Sequence, residues 1–161
     1  MKNSFFIICI FFVGKILLLS SCGQSYFFDE KKEIQNSNWL YQDTLDFTID
    51  VTDTLSIYNL YLDINHSTDY SYQNIYIRIH TKYPNGQRVT QQVPIDMMQR
   101  VGIWNGDCSG EICDLRVTLR EGSYFNALGK HTLTIEQFMR KDPLNGINSV
   151  ALRVEDTGQK R

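Results

Sequence analysis

The chain has 161 residues, with 16 Lys and Arg against 18 Asp and Glu. This near-neutral balance, without a basic block, lacks the electrostatic footprint that would hold a nucleic-acid backbone. The length allows one ordinary domain with a real core.

The first element in chain order is a secretory signal. Met1-Lys2 gives a positive start, an apolar run follows from Phe5 to Leu19, and Ser20-Ser21 supplies the small residues at a cleavage site. The run is about 15 residues and is interrupted by Lys15, whereas a spanning helix needs roughly 20. Cys22 directly after the small residues makes the segment a lipobox. It predicts removal of residues 1–21 and a diacylglycerol on the Cys22 thiol, with palmitate as the expected acyl label. The alternative is an ordinary cleaved signal followed by a chance cysteine. Removal takes Lys2 and Lys15 away and leaves 14 bases against 18 acids, a net charge of −4.

Residues 22–38 read as a lipidated tether. The mixed charges of Asp29–Glu33 suggest a solvated segment, while Tyr26, Phe27 and Phe28 either pack on the domain or meet the lipid surface. A domain is expected over 39–156 and a tail over 157–161. Within the domain the apolar period is two, the strand period. Leu45, Phe47, Ile49 and Val51 form one such set, followed by Tyr58, Leu60, Leu62 and Ile64, and then by Ile75, Ile77 and Ile79. Leu115, Val117 and Leu119, then Leu133 and Ile135, then Val150, Leu152 and Val154 repeat the pattern. Tyr83-Pro84-Asn85-Gly86 is a hairpin turn, with proline presetting φ and Asn-Gly accepting positive φ. Asp96–Arg100 is the one helical candidate. Many short strands with one polar face predict an all-β fold, an antiparallel β-sandwich of Ig-like or jelly-roll-like type. A closed barrel is the second choice. The charged polar faces and short strands argue against an outer-membrane barrel.

Little in the chain carries chemistry. His66, His80 and His131 sit on separate segments, none at metal-ligand spacing, and His80 and His131 read as solvated surface residues. His66-Ser67-Thr68-Asp69 holds nucleophile, base and acid types, but neighbours on one loop rarely converge as a triad must. Asp53, Asn65, Asp69, Asn105 and Asp107 suit calcium in type, although no stretch has EF-hand order and turn formation is the simpler role. No catalytic residue, cofactor or metal is expected. Cys108 and Cys113 form an even pair in an exported chain, which suggests a disulfide closing a small loop. Free thiols and a zinc half-site, which would need further ligands, remain open. Two loops stand out: Asn65–Asn74, with Asp69, Tyr70 and Tyr72, and the Gly-rich loop that opens with Trp104. These four residues are candidates for binding a protein partner or stacking on a glycan. The other reading is that the aromatics cover the ends of the core.

The order of several blocks resembles the gliding-motility lipoprotein family GldH of Bacteroidetes-type bacteria. The blocks are Cys22, Phe28-Asp29, Trp39, Tyr58-Asn59-Leu60-Tyr61-Leu62 and Thr68-Asp69-Tyr70-Ser71-Tyr72-Gln73-Asn74-Ile75. Pro84-Asn85-Gly86, Trp104, Gly122-Ser123-Tyr124, Ile135-Glu136-Gln137-Phe138-Met139-Arg140, Gly146-Ile147 and Val150-Ala151-Leu152-Arg153-Val154 follow. The Cys108/Cys113 pair is not part of that pattern. The resemblance implies a non-catalytic, membrane-anchored lipoprotein of the cell envelope, required for gliding and interacting with the gliding and protein-export machinery. It carries no catalytic residues over. A lipid-anchored carbohydrate-binding module is the alternative. Gly23 after Cys22, in place of a retaining aspartate, favours the outer membrane with the domain facing the periplasm.

Overall fold

The computed structural model describes residues 26–161. The signal segment expected over 1–21 and the lipidation expected at Cys22 lie outside the described residues.

Two antiparallel sheets make a β-sandwich. Strands are β1 (Tyr26–Glu33), β2 (Asn38–Trp39), β3 (Leu45–Val51), β4 (Ser56–Ser67), β5 (Asn74–Lys82), β6 (Arg88–Asp96) and β7 (Met98–Arg100). They continue as β8 (Ile103–Trp104), β9 (Asp107–Ser109), β10 (Ile112–Ser123), β11 (Gly129–Gln137), β12 (Leu144–Asn145) and β13 (Ile147–Lys160). One sheet has the order β1-β13-β4-β10-β9 and the other β3-β11-β5-β6; β12-β2 and β7-β8 are short ribbons. The apolar alternation sets which face turns inward. In β3, Leu45, Phe47, Ile49 and Val51 are buried while Asp46, Thr48 and Asp50 are exposed. Ile75, Ile77 and Ile79 of β5 and Ile135 of β11 meet Leu62 and Ile64 of β4 and Leu152 and Val154 of β13 in one core. The turn at Tyr83–Gln87 closes with Gly86 N–H donating to the Tyr83 carbonyl at 2.9 Å, and Gly86 holds φ +85°.

The structure departs from the sequence reading at both ends of the domain. Tyr26–Glu33 is not a free tether but an edge strand, paired with β13 from Tyr26↔Glu155 to Glu33↔Ser149. Phe27 and Phe28 pack against the core. The charges that suggested a solvated segment are those of a protected edge, where Lys31–Glu33 and Lys32–Glu30 ion pairs deter pairing with other chains. The expected tail is likewise strand, since β13 runs to Lys160 and pairs it with Ser56. Asp96–Arg100 is no helix. The N–H groups of Met97 and Met98 both donate to the Gln73 carbonyl, at 2.8 and 3.1 Å, and Met97 is fully buried.

Strands β1 and β4 run the same way, so the sandwich has two distinct ends. Tyr26, Glu155, Asn59 and Ser123 lie at the first, and Glu33, Ser149, Asn65, His66 and Cys113 at the second. A row of rings closes the first end: Phe27–Tyr58 (5.1 Å), Tyr58–Phe125 (5.4 Å), Phe125–His131 (5.1 Å) and His131–Tyr83 (5.8 Å). His131 is therefore not the solvated residue that its place on a polar-looking strand suggested; only 2% of it is exposed.

Phe47, fully buried between the sheets, tests the core. Phe47→Ala is expected to lower the unfolding free energy by about 3–5 kcal/mol. Val89→Ala, at the exposed start of β6, should stay within about 0.5 kcal/mol of the parent. Urea unfolding reads both.

Candidate functional site

Tyr70, Tyr72 and Trp104 come together at the second end, around His66, which the sequence reading weighed only for catalysis and metal binding. His66 ends the buried face of β4 and is fully enclosed. Its Nδ1 lies 3.0 Å from the Ser67 carbonyl. A carbonyl only accepts, so Nδ1 carries the proton and Nε2 is left as a buried lone pair without a partner. Trp104 packs on the imidazole at 4.7 Å between ring centres, and Tyr70 approaches edge-on at 6.2 Å. Tyr72 extends the cluster outward, 5.6 Å from Tyr70. Burial lowers the His66 pKa, partly offset by the bond to Ser67 and by Asp114. Burial also raises the Tyr70 phenol above its ordinary range, with Tyr72 adding to the shift.

Local backbone bonds hold this end. Ser67 N–H donates to the Gly146 carbonyl at 2.8 Å, Thr68 N–H to Glu111 at 2.9 Å and Tyr70 N–H to Ser67 at 3.0 Å. Gly146 has φ +91°, and a Cβ there would meet the Tyr70 Cα at 3.1 Å. Gly106 is more constrained, since its Cβ would fall 2.2 Å from the Asp114 carbonyl oxygen. Cys108 and Cys113 sit opposite each other on β9 and β10, and Cys113 also pairs with His66 on β4. The two sulfurs are bonded at 1.96 Å, so a disulfide backs the aromatic cluster.

These placements divide the candidate residues. Tyr70 is enclosed and its hydroxyl donates to the Asn74 carbonyl at 3.0 Å, so its ring has no face left for a ligand. Trp104 is half-buried, Asp69 is exposed and Tyr72 is 37% exposed. In the same connections Val101 and Ile103 are exposed, Val101 at 80%, and Ile112 is exposed at the start of β10. Tyr72 also lines an open depression of about 840 Å³ with Tyr41, Tyr76, Gln92, Phe138, Met139, Arg140 and Lys141. Nothing in the sequence pointed to Tyr41 or Phe138, because their neighbourhood depends on how β11 lies beside β5.

The histidine–serine–aspartate run does not converge. His66 turns into the core, while Ser67 Oγ accepts from the Asp69 N–H at 3.0 Å. Asp53, one of the calcium-type residues, is taken up by the Leu55 N–H, the Ser56 hydroxyl and Lys160. Among the described residues, no three His, Cys, Asp or Glu side chains are grouped to hold a metal.

A second polar assembly lies on the outer face of the five-stranded sheet. Arg116 grips Asp63 with two bonds, Nε to Oδ1 at 2.7 Å and Nη2 to Oδ2 at 2.8 Å, and donates a third to the Tyr26 hydroxyl at 3.0 Å. Arg153 Nε lies 3.2 Å from both Asp29 and Asp63. The Asp63 bonds, and secondarily Tyr26, hold the Arg116 pKa above its ordinary value. Arg153 Nε makes ion pairs but no hydrogen bond here, and the assembly ties β1 to the sheet through Tyr26 and Asp29.

A family model described as GldH lipoprotein matches residues 26–154. The chain belongs to that family of lipoproteins. A gliding motility lipoprotein GldH homolog from Christiangramia forsetii is 29% identical over 151 residues, covering 89% of this chain and 92% of the relative. The gliding motility lipoprotein GldH of Flavobacterium johnsoniae is 25% identical over 146 residues, covering 86% and 90%. Among solved structures, a fructofuranosidase from Schwanniomyces occidentalis overlaps with a TM-score of 0.41 at 12% identity, covering 88% of this chain and 35% of that one. Latent PorU from Porphyromonas gingivalis overlaps with a TM-score of 0.34 at 9% identity, covering 86% and 14%.

Two measurements check this end. The unfolded chain protonates His66 near its ordinary pKa of about 6.5, whereas the folded chain resists. The unfolded state thus binds more protons below that pH, and stability should fall as pH drops through it. His66→Gln should flatten that part of the pH profile in urea titrations. Removing the disulfide with Cys108→Ser and Cys113→Ser should cost about 2 kcal/mol by loop-closure entropy, read in the same assay.

Proposed function

We propose that this protein is a non-catalytic, lipid-anchored component of the envelope machinery for gliding. It would sit at the outer membrane with its domain in the periplasm and dock other envelope proteins of the gliding and protein-export apparatus. The observation that carries this reading is the join between sequence and fold. The family match and the first strand both start at residue 26, four residues after Cys22. A lipid on Cys22 would therefore hold a rigid domain within a short reach of the bilayer, which raises its effective concentration near partners in the same plane. The relatives named for gliding motility support the setting. Ile103 and Val101, both exposed beside half-buried Trp104 in the chain, supply apolar side chains of the kind that anchor a protein partner.

In a gliding host, Cys22→Ser should abolish palmitate labelling, leave an unprocessed precursor and stop colony spreading. A photo-crosslinking residue at Ile103 should give a discrete adduct with an envelope protein. Normal labelling and spreading with Cys22→Ser would sink the anchored reading, and absence of any adduct would sink docking at this patch. Protease shaving of intact cells checks the orientation, since degradation would place the domain on the cell surface.

A second reading, a carbohydrate-binding module, draws on the depression that Tyr41, Tyr72 and Phe138 line together with Gln92 and Arg140. It predicts glycan-array hits that disappear with Tyr41→Ala and Tyr72→Ala.

A further inference from the structure

The first end of the sandwich has a geometry that fixes what it can face. Tyr26 lies level with Glu155, and Glu155 with Asn59. Beyond that level β4 and β13 continue as an overhang to Ser56 paired with Lys160, capped by Leu55, whose carbonyl accepts from the Arg161 N–H at 2.9 Å. From Asn59 to Leu55 is four residues, an overhang of about 13 Å at strand rise. From Cys22 to Tyr26 is also four residues, a reach of at most about 14 Å when fully extended. The two lengths match. A lipid-bearing Cys22 can barely clear the Leu55 tip along the strand axis, and any bend in the connection brings the tip closer to the anchor plane.

The tip itself is suited to that position. Leu55, Tyr124 and Leu128 are 53%, 51% and 60% exposed. They come from two separate connections, β3–β4 and β10–β11, that meet at this end because Ser123 pairs with Tyr58 and Gly129 with Val51. The Arg161 guanidinium lies 4.3 Å over the Tyr124 ring. Leucines, a tyrosine and a cation with an apolar stem are the chemistry of the bilayer interface. Asp53 is engaged by Lys160 and does not present a free charge at the Leu55 turn. Lying on the β1 edge instead would press Asp29–Glu33 against lipid, at the cost of desolvating charged side chains.

We infer that the Leu55, Tyr124 and Leu128 end of the sandwich seats on the bilayer that holds the Cys22 lipid, with these three side chains entering the headgroup–acyl boundary. The sandwich then stands end-on. The Trp104 end, about 36 Å away along the 12 residues of β4, projects into the compartment where a partner would meet it. This rests on lipidation of Cys22, and the two can fail separately.

The test uses the mature lipoprotein in vesicles of phosphatidylethanolamine and phosphatidylglycerol doped with brominated phosphatidylcholine. Tyr124→Trp and Leu128→Trp report on the seated end, Ile103→Trp on the far end and Lys31→Trp on the β1 edge. Trp39, fully buried, and Trp104 give a background at the far end. The expected result is strong bromine quenching of the first two reporters and background quenching of the other two. Equal quenching at Ile103→Trp, stronger quenching at Lys31→Trp, or none at either tip reporter overturns end-on seating. Failure of the protein to float with the vesicles overturns the anchor itself, and the seating with it. Using two tip reporters keeps the result decisive if one substitution disturbs the fold.

Discussion

The pairing of β1 with β13 is the constraint on which the rest depends. β13 is the longest of the described strands and lies second from the edge of its sheet, bonded to β4 on one side. Its Val150, Ala151, Leu152 and Val154 are all buried, so its other edge must be covered, and β1 covers it. The ion pairs of Arg153 and Arg116 with Asp29 and Asp63 do not supply most of this hold, since exposed or half-exposed pairs are each worth about 0–1 kcal/mol. A ladder from Tyr26 to Glu33 and the packing of Phe27 and Phe28 supply more. The ionic clamp instead fixes register. Asp29 meets Arg153 directly across the strands, and a slip of one residue would turn Asp29 inward.

Much of the sandwich was legible in the sequence because each core strand buries one face. Period-two alternation is a local property, and it correctly placed the inward residues of β3 and β5 and Leu133 and Ile135 of β11, though not His131. The misreadings share a physical cause. β1 is an edge strand whose charges are set against unwanted pairing, and that pattern looks like a solvated linker until β13 is known to need a neighbour. Asp96–Arg100 has helix-compatible residues, but its N–H groups are claimed by Gln73, more than twenty residues earlier in the chain. Tertiary bonding of this kind leaves no local trace.

The candidate end was legible in part. Tyr72, Trp104 and the cysteine pair announce themselves as aromatics and cysteines in loops, and they do converge. His66 did not, because it lies on the inward face only if β4 continues two residues past Ile64, as its pairing with Cys113 shows. Asp63, Arg116 and Arg153 each occupy an ordinary polar position of their own strand. Their assembly follows from the order β13-β4-β10, which a single sequence does not reveal.

The two buried histidines tie each end to the strand that enters or leaves it. His66 donates Nδ1–H to Ser67 and His131 to Gly129, in each case a carbonyl where the chain enters or leaves a strand. Each imidazole then offers a flat ring to neighbouring aromatics, and each buries an Nε2 with no partner. An unmet acceptor costs on the order of 1–3 kcal/mol, which a phenyl ring would avoid. A phenyl ring would also lose the bond that pins the turn. The arrangement therefore spends some stability on fixed geometry at the ends. What these ends present to their surroundings is then set by exposed side chains, Ile103 and Tyr72 at one end and Leu55, Tyr124 and Leu128 at the other.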